Sequence, residues 1–263
     1  PGMAQTEKLT DYVNPFVGTD GYGNVYPGAQ IPFGGIQISP DTDSRFYDAA
    51  SGYKYNHLTL MGFSLTHLSG TGIPDLGDFL FIPGTGEMKL EPGTHEDPDQ
   101  GYRSRYSHDK EWASPNYYAV ELADYGVKAE MTSGVRSGMF RFTYPESDNA
   151  FIMIDMNHTL WQSCEWSNLR MINDSTITGY KLVKGWGPER HVYFTATFSK
   201  KLTGLRFVQD KKPVIYNTSR FRSSYEAWGK NLMACISFAA EEGEEVIVKT
   251  SVSAVSTAGA TLN

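Results

Sequence analysis

Short segments of alternating or continuous apolar residues recur along this chain, separated by glycine, proline, asparagine and aspartate. A period of two places successive side chains on opposite faces of a β-strand, and turn residues between such segments are typical of sandwiches and barrels. Phe140, Phe142 and Tyr144 alternate with Arg141 and Thr143 in this way. The sequence therefore predicts an all-β protein.

Twelve segments carry this signal. We predict strands at 36–38, 79–82, 117–122, 127–131, 138–144, 151–156, 168–172, 176–183, 192–198, 204–208, 232–238 and 245–252. Helix signals are weak, and the best of them covers 223–230. Segments 84–115 and 210–231 are rich in charge, proline and glycine, which predicts loops or edge decorations. A dozen strands suffice for a large two-sheet antiparallel β-sandwich with few short helices.

The length of 263 residues fits one large all-β domain, which we place at 11–263. Residues 1–10 are interpreted as a non-native start, Pro1 and Gly2 ahead of Met3, followed by an N-terminal tail. They form no signal peptide, because they lack a basic start and an apolar stretch.

Charge and hydropathy exclude two classes of partner. The 30 acidic residues outnumber the 23 basic ones, and no basic stripe is present to neutralise phosphates. Apolar runs such as 79–82 and 151–154 are far too short to span a bilayer. We therefore expect no nucleic-acid partner and no membrane span.

The spacing of the cysteines and of the acidic residues does not decide whether a disulfide or a metal site is present. Cys164 and Cys235 form either one disulfide or two separate buried thiols. Zinc is disfavoured because no histidine has a second ligand at a fixed spacing. Calcium is better supported by the hard oxygen donors of Asp41 with Asp43, or of Asp75 with Asp78. Neither pair forms a dedicated calcium loop, so the metal ligands stay unknown.

Two loops dense in glycine and polar residues, at 14–29 and 67–78, are the strongest functional signal. Such segments turn sharply and leave side chains free, and no following helix supports a phosphate site. Sugars need fixed hydroxyl partners and aromatic rings for their C–H faces, which these loops provide. The predicted sugar-binding residues are Gly18, Thr19, Asp20, Tyr22, Asn24, His67, Ser69, Gly70, Thr71, Asp75 and Asp78.

Trp186 is a third predicted contact. It lies between two glycines in the segment 184–190, and exposure and burial of its ring are equally compatible with the sequence. No serine has the glycine-flanked elbow of a nucleophile, so nucleophilic catalysis is disfavoured.

Several long motifs resemble the amino-terminal part of glycoside hydrolase family 92. They are Asp11-Tyr-Val-Asn-Pro-Phe-Val-Gly-Thr19, the run from Tyr26-Pro-Gly-Ala to Ser39-Pro-Asp-Thr42, Gly62-Phe-Ser-Leu-Thr-His-Leu-Ser-Gly-Thr-Gly72 with Asp75 and Asp78, Tyr102 to Ser107, and Gly185-Trp186 leading to Phe198-Ser-Lys200. The motifs follow the family's order over nearly the whole chain. Tyr22 and Asn24 stand where histidine often appears in the family, which leaves their contacts open.

The resemblance implies an exo-acting, calcium-dependent, inverting α-mannosidase of the kind abundant in gut bacteria. Such enzymes join an amino-terminal β-sandwich, of the galactose-mutarotase-like supersandwich type, to a larger carboxy-terminal α/α toroid. The family's general acid, general base and most calcium ligands lie on the toroid, and residues 252–263 resemble the start of the linker to it. We therefore expect no catalytic residue in this chain and expect that toroid as its partner in the same protein.

The function expected from the resemblance is the sugar-binding, non-catalytic half of an α-mannosidase, with α-1,2 linkages and N-glycan mannose as substrates. The expected location is periplasmic, secreted or at the cell surface. Two alternatives remain: an autonomous carbohydrate-binding module, and a purely structural partner of the toroid. Glu111, Glu130 and Glu165 are the available acids, but a solvated strand-face acid is the commoner role for such residues.

Overall fold

Antiparallel strands make up most of the computed structural model, which describes residues 8–44, 47–215 and 225–263, apart from the Asp48 side chain. The strands are β1 (Ser39–Asp41), β2 (Thr59–Leu60), β3 (Gly62–Ser64), β4 (Leu80–Thr85), β5 (Ser104–Arg105), β6 (Glu111–Ser114), β7 (Tyr117–Leu122), β8 (Val127–Ser133), β9 (Ser137–Tyr144), β10 (Ser147–Asp155), β11 (Ser163–Asn173), β12 (Thr176–Lys184), β13 (Arg190–Phe198), β14 (Gly204–Gln209), β15 (Lys212–Pro213), β16 (Glu226–Gly229), β17 (Leu232–Ala240) and β18 (Glu244–Ser253). Helix α1 (Thr257–Leu262) follows, and short 3₁₀ turns lie at Leu9–Tyr12, Tyr47–Ala49, Pro98–Gln100 and His108–Lys110.

Two large sheets form the sandwich. One has seven strands in the order β1-β3-β4-β10-β17-β14-β15, and the other has nine in the order β16-β11-β12-β13-β18-β9-β8-β7-β6. Strands β2 and β5 form a separate pair. This architecture confirms the all-β, two-sheet prediction.

The main core lies between the two sheets and is built from aromatic rings. Phe81 on β4 meets Phe140 on β9 with ring centroids 4.9 Å apart, and it meets Phe194 on β13 at 6.3 Å. Phe63 on β3 contacts the same layer, with its ring 6.4 Å from that of Phe140. These side chains are fully buried, so the inward half of each alternating segment supplies the interface.

A second apolar cluster covers the other face of the seven-stranded sheet. Met61, Ile82, Phe151 and Met153 pack there with Tyr102, and all five are buried. Burial on both faces explains why β4 and β10 contain continuous apolar runs, since neither face of these strands meets water. The segment 86–103, predicted as a loop, therefore acts as a cover for this sheet.

Most predicted strands appear within a few residues of their predicted bounds, and β7 matches its prediction at both ends. The predicted strand 36–38 is wrong in position, because β1 begins at Ser39 and Ile38 makes only an isolated bridge to Ala29. The predicted helix 223–230 is also wrong: its described part forms β16, and residues 223–224 lie outside the described residues. Pairing of β16 with β11 overrides the weak local helix preference.

The terminal helix α1 was missed by the sequence analysis. It is short, begins at the Ser256 N-cap whose hydroxyl accepts a hydrogen bond from the Gly259 amide, and rests on the nine-stranded sheet. No helix among the described residues has the length and apolar character needed to cross a bilayer.

We predict that Phe140→Ala lowers the free energy of unfolding by about 3–5 kcal/mol, because a buried ring is replaced by a cavity between the sheets. Met139→Ala, one residue earlier on β9 with 38% of its surface exposed, is the matched control. Urea titrations of both variants followed by circular dichroism provide the measurement. Equal midpoints for the two variants would contradict the assignment of Phe140 to the core.

Candidate functional site

The three segments predicted to bind sugar come together at one end of the sandwich. The Gly70 amide of the second loop donates to the Asn24 carbonyl of the first, over 2.7 Å. Arg190, which ends the third segment, forms an ion pair with Asp78 of the second. Composition alone suggested that these segments lie together, and the Gly70–Asn24 hydrogen bond and the Arg190–Asp78 ion pair connect them in the structure.

The first loop is folded tightly around its own backbone. Thr19 is buried, its hydroxyl donates to the Phe16 carbonyl over 2.8 Å, and its own carbonyl accepts from the Tyr55 amide. Gly18 has φ +86° and Asn24 has φ +51°, so both adopt the left-handed conformation that the turns require. Thr19 and Gly18 thus shape the loop rather than present side chains.

Two side chains of the first loop do face solvent. Tyr22 is 99% exposed, and Asp20 is exposed near the Lys54 ammonium at 4.0 Å. An exposed ring beside a carboxylate has the chemistry expected of a sugar contact. The Tyr22 ring has the access that this role requires.

The second loop has exposed and buried halves. Ser69 and Gly70 are exposed, and the partly exposed Thr71 donates its hydroxyl to the Ile73 carbonyl over 3.0 Å. Asp75 is buried, with one carboxylate oxygen accepting from the Leu76 amide at 2.6 Å, so it caps the turn. In the third segment, Trp186 is 63% exposed, which resolves the two readings of its ring.

His67 is a correction to the sequence analysis, which proposed it as a sugar contact. Its side chain is fully buried, Nδ1 donates to the Gln37 carbonyl at 2.8 Å, and Nε2 lies 2.7 Å from Asp41 Oδ1. The Tyr26 ring packs 5.0 Å from the imidazole. Both ring nitrogens contact protein groups, Gln37 and Asp41, so His67 holds the second loop in place.

Asp41 joins two histidines from distant parts of the chain. Its second oxygen, Oδ2, accepts from His158 Nε2 over 2.8 Å. Burial raises the pKa of Asp41, but the charges and hydrogen bonds of His67 and His158 outweigh it and hold that pKa well below its ordinary value.

Asp78 is the second correction, because it too is buried and fully engaged. It accepts from the Thr66 hydroxyl at 2.8 Å and from the Arg190 guanidinium, and the Lys181 ammonium lies 3.5 Å away. Burial raises the pKa of Asp78, whereas Lys181, Arg190 and Thr66 together lower it below its usual value. Lys181 also donates to the His158 carbonyl, which connects this group to Asp41.

These contacts define one buried network, formed by Asp41, His67, His158, Lys181 and Asp78. It ties β1 to the second loop, to the loop after β10 and to β12. The sequence analysis missed His158 and Lys181, because nothing in a single sequence indicates that residues so far apart share a carboxylate. The other three members, Asp41, His67 and Asp78, were singled out for different roles, as calcium ligands or sugar contacts.

The acids do not form a calcium site. Asp41 contacts His67 and His158, Asp78 pairs with Lys181 and Arg190, and Asp43 lies 3.2 Å from His95 Nε2. Among the residues that the structure describes, no group of three or more histidine, cysteine or acidic side chains is arranged to hold a metal ion. The chemistry of this donor set therefore does not fit a resident calcium ion.

A cleft of about 860 Å³ lies beside the network, and His158 is part of its wall. Trp161 is 56% exposed there, has φ +76°, and packs 5.8 Å from the Tyr47 ring. Asp155 accepts from the Tyr102 hydroxyl at 3.2 Å. The cleft thus combines an exposed indole with carboxylate and hydroxyl groups.

Gln162 connects this cleft to the predicted loops. Its amide nitrogen donates to the Pro74 carbonyl at 2.9 Å, while its amide oxygen is buried without a protein partner within the described part of the chain. A buried acceptor without a partner is unfavourable unless water or a ligand donates to it. Neither Trp161 nor Gln162 was predicted, since both lie in an irregular loop.

The cysteines are free thiols, so the disulfide alternative is excluded. Cys164 lines the cleft, and burial raises its pKa. A thiol with a raised pKa is mostly protonated at neutral pH and is therefore a poor nucleophile.

The three glutamates are held in local contacts. The Arg141 guanidinium, 2.7 Å away, lowers the pKa of Glu130 to about 2. Glu111 is buried and accepts from the Tyr53 and Tyr118 hydroxyls, and Glu165 accepts from Ser163 at the surface. A general acid needs a raised pKa, so Glu130 does not qualify, and the other two serve as local hydrogen-bond acceptors.

Solved structures resemble this chain closely. The family GH92 alpha-mannosidase BT3965 from Bacteroides thetaiotaomicron matches with a TM-score of 0.95 and 96% identity, covering 98% of this chain and 35% of that one. The same mannosidase is also solved in complex with mannoimidazole. The inverting mannosidase BT2199 of that organism matches with a TM-score of 0.80 at 23% identity, over 99% of this chain and 33% of its own, which shows the fold alone.

A fungal protein of Arthroderma benhamiae, described as an uncharacterized secreted glycosidase, is 30% identical over 139 residues, which is 52% of this chain and 17% of the fungal protein. The chain thus spans about a third of the solved mannosidases and less of the fungal protein. The model of the Glycosyl hydrolase family 92 N-terminal domain matches residues 12–253. This match covers every strand that the structure describes, and the chain therefore belongs to glycoside hydrolase family 92 and carries its N-terminal domain.

Proposed function

We propose that this chain is the sugar-binding, non-catalytic half of a calcium-dependent, inverting exo-α-mannosidase with α-1,2 specificity. The observation that carries the proposal is the meeting of the three polar loops at one end of the sandwich. None of the described residues that line the open cleft belongs to these loops, and Gln162 in the cleft wall connects it to the second loop through the Pro74 carbonyl. The 96% identity to a family GH92 alpha-mannosidase supports mannose as the sugar. The substrate would be an α-mannoside such as N-glycan mannose.

The proposed contacts are the exposed side chains. Tyr22, Trp161 and Trp186 present aromatic faces to solvent, and Asp20 and Ser69 are polar groups with access to a ligand. Aromatic rings stack on the C–H face of a pyranose while polar groups take its hydroxyls. Gly70 and Thr71 allow close approach of a sugar to the loop backbone.

The buried network has a positioning role in this proposal. The network holds β1, the second loop and the loop after β10 together, so these loops are already in position before a sugar binds. This reduces the conformational entropy that is lost on binding. His67 and Asp78 act in this indirect way, and their mutation would be felt through the loops.

Catalysis is assigned to another part of a longer protein. Inverting hydrolysis needs a general acid and a general base roughly 6.5–9.5 Å apart across the scissile bond. Glu111, Glu130 and Glu165 are committed to local contacts, so no such pair is offered by them. We propose that an α/α toroid supplies both carboxyl groups and the calcium ligands, because the acids described here do not fit a calcium ion.

The domain would also dock against that toroid. Leu9, Val17 and Phe33 are apolar side chains with most of their surface exposed, and they lie before, within and after the first loop in sequence. A contiguous patch of such side chains is typical of a contact surface. We propose a periplasmic, secreted or cell-surface location, in line with the description of the fungal relative as secreted.

We expect no hydrolysis of α-1,2-mannobiose by the 263-residue chain in the presence of calcium, because the acid and base are assigned elsewhere. Release of mannose, measured with a coupled enzyme assay, should equal that of a heat-inactivated sample. Turnover clearly above that background would overturn the non-catalytic assignment.

In a longer enzyme that contains this domain, Trp161→Ala should raise KM for α-1,2-mannobiose about tenfold with a smaller change in kcat, because a stacking surface outside the reacting bond is removed. Trp112→Ala on β6 is the control, since its indole is exposed to a similar extent. An unchanged KM for Trp161→Ala would remove the cleft from the proposed site.

Asp41→Asn should lower the free energy of unfolding by about 3–5 kcal/mol at pH 7, because it removes the buried carboxylate that His67 and His158 both contact. The pKa of Asp41 is lowered by folding, so its contribution exists above the unfolded pKa of about 3.9 and is lost as the pH falls through the lower folded value. The difference between Asp41→Asn and wild type should therefore shrink in strong acid.

Urea denaturation from pH 8 down into strong acid, below pH 3, measures this difference, with the exposed Asp20→Asn as the matched control. A gap between Asp41→Asn and wild type that stayed constant over this whole range, or an equal loss for Asp20→Asn, would contradict the ionised state of Asp41 in the fold.

A further inference from the structure

A row of side chains crosses the outer face of the nine-stranded sheet, away from the interface with the other sheet. Register places Trp228 of β16 beside Asn168 of β11, Asn168 beside Tyr180 of β12, and Tyr180 beside Tyr193 of β13. Directly paired residues point to the same face, so these four form one line perpendicular to the strands. We call this line the outer aromatic row.

The neighbouring line confirms that the row faces outward. Ala227, Leu169 and Phe194, each one residue away along its strand, are buried in the core between the sheets. Trp228 is 52% exposed, Tyr180 and Tyr193 are partly exposed, and Asn168 between them in the strand order is buried. The row is therefore the solvent side of strands whose other side builds the core.

The rings of the row lie close together. The Tyr180 and Tyr193 centroids are 4.9 Å apart, and the His191 ring stacks on Tyr180 at 5.8 Å with 24° between the planes. The Tyr180 hydroxyl and His191 Nδ1 share a hydrogen bond of 3.0 Å. This bond and the stacked imidazole fix the orientation of the Tyr180 ring, which stays partly exposed.

A groove of about 430 Å³ runs along the row. Arg170 and Glu226 are paired in register in its wall, so the charges of the groove balance. Asn168 on the floor donates to Glu226 over 3.2 Å, which holds the polar part of the groove in place. A charge-balanced groove with aromatic rings and polar groups suits a neutral, hydroxyl-rich ligand better than a charged one.

Spacing sets the size of that ligand. Adjacent strands lie about 4.8 Å apart, so Trp228 and Tyr180, two strands apart, are separated by about 10 Å. One pyranose cannot stack on both rings. A short oligosaccharide that crosses the strands can place one sugar on Trp228 and another on Tyr180 and Tyr193.

We propose that the outer aromatic row is a second glycan-binding surface, which takes a neutral pyranose oligosaccharide of two or more residues. It uses none of the loops at the end of the sandwich, and it therefore goes beyond the proposed function and stands without it. Its role would be to hold a glycan chain on the domain while a different part of the molecule acts on an end.

The test is isothermal titration calorimetry of the 263-residue chain with an α-linked mannotetraose. We expect Trp228→Ala and Tyr180→Ala each to weaken one binding event about tenfold, which corresponds to about 1.4 kcal/mol. Trp112→Ala, on the opposite edge strand β6 of the same sheet, should leave that event unchanged. Trp161→Ala should also leave it unchanged, which separates this surface from the cleft.

Trp228→Leu keeps apolar area without the indole face and serves as the second variant if Trp228→Ala fails to fold. The proposal is overturned if Trp228→Leu and Tyr180→Ala bind the tetraose as the wild type does, or if no tetraose binding depends on either residue. It is equally overturned if sedimentation shows that the chain is a dimer and that Trp228→Leu or Tyr180→Ala makes it a monomer, because the row would then be an interface between two copies. If a longer family protein with Trp228→Leu or Tyr180→Ala also binds the tetraose as the wild type does, the outer aromatic row is a contact between domains and the proposed glycan site is wrong.

Discussion

A buried carboxylate is stable only when cations or hydrogen-bond donors surround it, and the end of this sandwich is organised around that constraint. Asp41 takes one histidine on each oxygen, and those histidines come from segments more than ninety residues apart in sequence. Lys181 extends the same arrangement to Asp78. Loops that are poor in regular hydrogen bonding are thereby attached to the rigid strands beneath them.

Much of the sandwich was predictable because alternation is a local property. Strands such as β7 and β13 have one face in the core, and their sequences report that directly. The predicted helix at 223–230 failed since its structure depends on β11, a partner that the local sequence does not reveal. The same holds for β6, an edge strand within a segment that reads as loop. The continuous apolar run of β4 agrees with burial on both faces, but the segment that covers its outer face, 86–103, could not be inferred because it has no periodicity of its own.

The candidate site shows the same division. Glycine and proline content predicted irregular loops at 14–29 and 67–78, and Tyr22 and Trp186 have the exposure that sugar contact requires. Residue type alone misjudged His67 and Asp78, since a polar side chain in a polar loop is as well suited to hold the loop as to touch a ligand. The outer aromatic row was invisible in the sequence, because its members come from four strands and meet only through register. Long-range pairing, rather than composition, is the information that a single sequence lacks.

The two thiols have a consequence for how the domain can be made. Cys164 and Cys235 are both buried and unpaired, and burial raises the pKa of Cys235 to about 11. Neither sulfur contributes a covalent cross-link, so the sandwich owes none of its stability to oxidation. Its packing is compatible with a reducing cytosol and with an oxidising exterior alike. Export of such a domain would impose no demand on the oxidative folding machinery of the cell.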